Sequence, residues 1–131
     1  MRAALDTRMN RATYWLCLVV LTAMYTALNM FLPRHAAVSE VVLLFLCVPR
    51  LHDIGLSGWW FGGALLLEIA VVAASFILLP LAQAPFPIGI FVLVAAVALI
   101  WLGTKPGEPG ANRFGEPPSP GLSFKRAALK Q

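Results

Sequence analysis

Nineteen consecutive residues, Tyr14 to Leu32, carry no formal charge. At about 1.5 Å per helical residue they reach about 28 Å, close to the roughly 30 Å thickness of a bilayer's hydrocarbon core. The run is longer than the apolar core of a secretory signal, which is about 7–15 residues. His35-Ala36-Ala37 is also a poor cleavage site, so a membrane anchor is the better reading. Composition agrees: 60% of the 131 residues are hydrophobic and 12% charged, against roughly 25% charged in globular domains. A chain this short has too much surface for its volume to hide that many apolar side chains from water. Lipid is the expected solvent.

Three more apolar runs follow. Ala36 to Val48 is interrupted only by Ser39 and Glu40. It extends through Pro49 to Asp53, with Gly55 as its stop. Pro49 is expected to kink it, because proline removes a backbone hydrogen bond. Trp59 to Ala82 holds one charge, Glu68, and Pro80 near its end, and Phe86 to Gly103 holds no charge. The expected fold class is all-α: an integral membrane bundle, residues 1–103, of four transmembrane helices at about 14–32, 36–53, 59–82 and 86–103. From Thr104 the composition changes. Residues 104–131 contain half of the chain's ten prolines and four of its glycines, so a mostly extended or disordered C-terminal tail is expected. Ser123 to Gln131, with Lys125, Arg126 and Lys130, is a candidate for a short interfacial helix. Cys17 and Cys47 lie inside apolar runs without metal-ligand spacing and read as small buried hydrophobes. No metal and no cofactor is expected.

Nine of the ten Lys and Arg fall in segments that a four-span chain places on one side: Arg2, Arg8 and Arg11; Arg50; and Lys105, Arg113, Lys125, Arg126 and Lys130. Only Arg34 falls on the other. Positive residues mark the cytoplasmic side, so both termini and the tail are expected there. Tyr14, Trp15, Trp59, Trp60 and Trp101 fall at the same interface and read as a one-sided aromatic belt. The basic residues thus look like topology signals. With no aromatic-basic recognition module present, nucleic acid is not an expected partner.

The most informative stretch is Arg50-Leu51-His52-Asp53-Ile54-Gly55-Leu56-Ser57-Gly58-Trp59-Trp60. Arg50 and Asp53, three residues apart, are neighbours on a helix face and can pair. Gly55 and Gly58 permit tight or left-handed backbone. The stretch resembles the signature of the domain of unknown function 805 family, small bacterial inner-membrane proteins. Arg8-Met9-Asn10-Arg11-Ala12-Thr13-Tyr14-Trp15 resembles the family's opening. Residues Gly107 to Pro117, with Asn112 and Gly115 in place, resemble its closing motif. The resemblance spans residues 8–117. It implies four spans and a bacterial inner membrane, and it brings no activity with it. Pro49 stands where the family usually has an Arg, and Phe114 where it usually has a Tyr.

Two groups of polar residues are candidates for function. The first is a cytoplasmic-face cluster of Asn10 and Arg11; Arg50, His52, Asp53, Gly55, Ser57, Gly58 and Trp59; and Asn112, Arg113 and Gly115. Asp53 is its expected anion, held by Arg50, with Arg11 or Arg113 as a second cation. The cluster reads either as a salt-bridged knot or as a site for a headgroup, an ion or a partner. The second group is intramembrane: Glu68, about 13 Å inside its span, and Thr22, Tyr25, Thr26 and Asn29, a polar stripe on the first span. A charged acid at that depth costs about 3 kcal/mol, so Glu68 is expected to face the bundle, protonated or paired, and to bond the stripe. Adjacent His52 and Asp53 point about 100° apart on a helix and make no base–orienter pair. No nucleophile has a recognisable context, so no catalytic residue and no enzyme are expected. Two functions stay foremost: a small membrane scaffold or accessory protein binding a partner or anionic lipid, and a transporter or channel component using Glu68 and the stripe; an enzyme acting on lipid is the third and least expected. Membrane lipid is the expected partner, with another membrane protein or a second copy of the chain as further candidates.

Overall fold

A computed structural model describes residues 8–31 and 40–122. They form four helices: α1 (Arg11–Phe31), α2 (Glu40–Asp53), α3 (Trp59–Leu78) and α4 (Pro85–Thr104). Three of them, α1, α3 and α4, are long and apolar enough to cross a membrane. The fourth, α2, has 14 residues, or about 21 Å. The chain is an α-helical membrane protein. The ends expected at Leu32 and Ala36, and the interfacial helix expected within residues 123–131, lie outside the described residues.

The helix ends follow local chemistry. Asn10 caps α1: its Oδ1 accepts the Thr13 backbone N–H at 2.8 Å, so the helix starts at Arg11, three residues before the apolar run. α2 runs through Pro49 and closes on Gly55, whose φ of 77° is left-handed. The Leu56 N–H donates to Leu51 O at 2.9 Å and the Gly55 N–H to His52 O at 3.2 Å. That pair of bonds is a Schellman closure and requires glycine at its left-handed position. α3 ends at Leu78, four residues earlier than Ala82, because Pro80 forces the preceding Leu79 into extended backbone (φ −115°, ψ 150°). α4 opens on Pro85, a residue suited to the first helical turn.

The bundle is a rhombus. α2 and α4 touch each other, and each touches both α1 and α3, while α1 and α3 do not meet. Along the bundle's outside, Phe31, Ile77 and Leu81 are about four-fifths exposed, as suits a surface wetted by lipid. The buried core is concentrated at one end: Tyr14, Leu46, Cys47, Leu51 and Leu102, with Met9, Trp15, Leu56 and Phe61 against them. At that end α1 and α3 begin and α2 and α4 finish. In lipid, apolar side chains gain nothing by leaving their solvent, so helix association rests on close packing and hydrogen bonds. Both are gathered here.

Candidate functional site

Asp53 lies at the centre of that end, 3% exposed, with Arg50 wholly buried beside it. One turn of helix sets Arg50 Nη1 against Asp53 Oδ2. The second carboxylate oxygen accepts Arg8 Nε at 3.1 Å. Each oxygen of the acid is therefore held by a guanidinium, and every N–H of Arg8 is used. Its Nη1 donates to the carbonyls of Gly110 (2.7 Å) and Gly115 (3.2 Å). Its Nη2 donates to those of Asp53 (3.4 Å) and Glu108 (2.6 Å). Arg50 donates to Leu102 O at 3.1 Å, Met9 O at 3.3 Å and Lys105 O. The Leu102 carbonyl belongs to the last turn of α4, where no intrahelical donor remains, so Arg50 caps α4 from a neighbouring helix. Arginine suits the task because its planar fork presents five donors in fixed directions.

The stretch that follows the last span is docked on this ion cluster. Residues 105–122 contain no helix. The Glu108 N–H donates to Asp53 O at 2.8 Å. A Cβ at Gly107 would collide with the Asp53 carboxylate, so only glycine lets the backbone pass there. Asn112 to Gly115 form a tight turn closed by two backbone bonds of 3.0 Å. The Asn112 side chain donates to His52 O at 2.9 Å and to Glu108 Oε2 at 2.7 Å, and accepts from the Phe114 N–H. Phe114 stacks flat on His52, ring centroids 3.7 Å apart. That face-to-face contact needs a ring and no hydroxyl, so phenylalanine serves where the family usually has tyrosine. Arg113 donates to Gly55 O at 3.2 Å. Asn10 reaches further along the same segment, to Ser119 O and Gly121 O.

The structure brings together Asn10, Arg50, His52, Asp53, Gly55, Asn112, Arg113 and Gly115. Ser57 and Gly58 serve the turn into α3: Ser57 Oγ accepts the Trp59 N–H at 3.3 Å, and Gly58 packs against Val48 and His52. Two expectations change. The second cation on Asp53 is Arg8. Arg11, the first helical residue, is exposed and makes no ion pair with Asp53 among the described residues, and Arg113 donates to Gly55 O while it too stays exposed. The aromatic belt also divides. Tyr14 is fully buried and donates to Leu99 O at 2.9 Å, and Trp15 Nε1 donates to Gly103 O at 3.0 Å. Both fasten α1 to α4. Trp59, Trp60 and Trp101 remain exposed, with Lys105 Nζ 5.1 Å from the Trp101 ring.

The intramembrane pairing is also corrected. Thr22 and Thr26 hydroxyls and the Asn29 amide bond back to carbonyls four residues earlier on α1, and Tyr25 is exposed on the same helix. Glu68 is on α3, diagonally across the rhombus, and lines a cavity of about 500 Å³ between α2, α3 and α4. Stripe and acid do not share an interface. Cys17 and Cys47 are free thiols. Among the described residues no three His, Cys, Asp or Glu side chains gather as a metal site.

Fold and site together define a small helical membrane protein whose helices and following segment are tied at one end by a buried ion cluster. The chain belongs to the family described as "Protein of unknown function (DUF805)", whose model matches residues 35–116. The match covers α2, α3, α4 and the docked segment through Glu116. No curated protein and no solved structure matches the chain.

Proposed function

We infer that this is a four-span scaffold or accessory protein of the bacterial inner membrane, with both termini cytoplasmic, whose basic end engages anionic lipid headgroups. α2 is read as the fourth and shortest span. The positive-inside rule supports the orientation, since the described basic residues Arg8, Arg11, Arg50, Lys105 and Arg113 all lie at the clustered end. One observation carries the lipid reading. The ion cluster consumes Asp53 internally, while Arg11, Lys105 and Arg113 stand exposed around the same end beside exposed Trp59, Trp60 and Trp101. Indole rings settle at headgroup depth. Each basic residue near an anionic surface contributes about 1 kcal/mol. The saturated cluster is the rigid mount, and the rim is the surface that meets the membrane.

The test uses the full chain in bilayers of phosphatidylcholine with spin-labelled phosphatidylglycerol or spin-labelled phosphatidylcholine as probe. Preferential immobilisation of the anionic probe is expected, and it should fall in an Arg11→Gln, Lys105→Gln, Arg113→Gln triple variant. Equal immobilisation of the two probes by the native chain would sink the reading.

A further inference from the structure

The cavity between α2, α3 and α4 is a groove, and its two ends differ. Along α2 its wall runs from Leu51 to Glu40, about 16 Å. Near the ion cluster it is lined by Trp60 and Trp101, and at its far end stand Glu40, Glu68 and Phe91. The walls between are aliphatic, with Ala95 and Ala98 of α4 leaving the space open. Its volume of about 500 Å³ falls within the range of small-molecule sites, which are mostly apolar with a few polar groups that fix orientation.

The two acids are not equivalent. Glu40 is in the first turn of α2, where the helix dipole favours a carboxylate. Glu68 is mid-helix, and among the described residues no ion pair neutralises it and no Lys, Arg or His lines the groove. An intramembrane acid without a partner marks a functional position. We propose that the groove binds a single-chain cationic amphiphile, its alkyl chain along the aliphatic walls and its amine or quaternary ammonium head against Glu68 and the face of Phe91. A neutral chain would fill the walls and leave the acid unmatched. A phospholipid would bring a phosphate toward two carboxylates. An ammonium head satisfies the acid and gains from the aromatic ring. The groove shares Trp60 and Trp101 with the basic rim, but the proposal rests on Glu68 and the aliphatic walls and stands or falls separately from the lipid reading.

The test is quenching of tryptophan fluorescence by a bromoalkyl trimethylammonium probe, with the full chain in nanodiscs. The native protein should show a saturable component above the linear effect of probe dissolved in lipid. A bromoalkyl alcohol of the same length should show none or bind at least tenfold more weakly. Glu68→Gln should weaken the saturable component tenfold or more. Ala95→Phe, which keeps both acids and fills the groove, should abolish it. Equal binding of cation and alcohol, or unchanged binding in Glu68→Gln, overturns the role of the carboxylate. Saturable binding that survives Ala95→Phe, or none by the native chain, overturns the groove as the site.

Discussion

Asp53 is the residue on which the clustered end depends. Its carboxylate faces two guanidiniums in a volume almost closed to solvent, so removing its charge strands both. Breaking a buried pair by one partner typically costs about 3–5 kcal/mol. Asp53→Asn is expected to lower stability on that scale, read as a fall in unfolding midpoint in micelles. The structure separates two arginines that look interchangeable in the sequence. Arg8→Gln should destabilise strongly and Arg11→Gln hardly at all; equal effects would contradict the geometry. Two glycines give a similar contrast. Gly107→Ala drives a methyl into a carboxylate that cannot swing away, whereas a Cβ at Gly110 meets nothing within 4 Å. The first should therefore cost midpoint and the second leave it within about 0.5 kcal/mol.

At the scale of elements, α1 is held to α4 by polar contacts and by the absence of a side chain. A Cβ on Gly103 would lie 2.7 Å from the Trp15 ring and 3.0 Å from that of Tyr14, so the two helices close only over glycine. Tyr14→Phe keeps the ring and deletes the bond to Leu99 O, for an expected loss of about 0.6–2 kcal/mol, measurable by the same unfolding assay. The existence of the helices was legible in the charge-free runs. Gly55 as a stop was legible too, because a left-handed closure has a glycine signature. The Arg50–Asp53 pair could be read from its three-residue spacing. The Arg8 contact could not, since it joins residues 45 apart through tertiary packing. A local signal for it did exist: Asn10 as a cap makes Arg11 the first helical residue and leaves Arg8 on the irregular segment before it. Which pair of helices spans the short diagonal of the rhombus is a packing choice. Sequence order is silent on it, and for that reason Glu68 and the α1 stripe were matched across helices that never touch.

At the scale of the molecule, residues 105–115 are part of the fold rather than an appendage. They supply acceptors to Arg8 and Arg50 and a backbone donor to Asp53 O. Truncation after Thr104 is therefore expected to lower the unfolding midpoint about as far as Asp53→Asn does. If the truncated chain melted like the native one, docking of the segment would contribute nothing to stability. The bundle is tight at one end and loose around the α2–α3–α4 groove, so added ligands should protect backbone amides of the groove more than those of the clustered end.

The docking of the final segment on Arg8, Arg50 and Asp53 also has a meaning in time. Residues 105–115 are synthesised only after the four described helices. Until then Arg8 lacks the carbonyls of Glu108, Gly110 and Gly115 and Arg50 lacks that of Lys105, while the Asp53 carboxylate already has both of its guanidiniums. Closure of the latch therefore follows synthesis of the last helix, and a chain ended before residue 105 differs from a longer one by an under-bonded charge cluster.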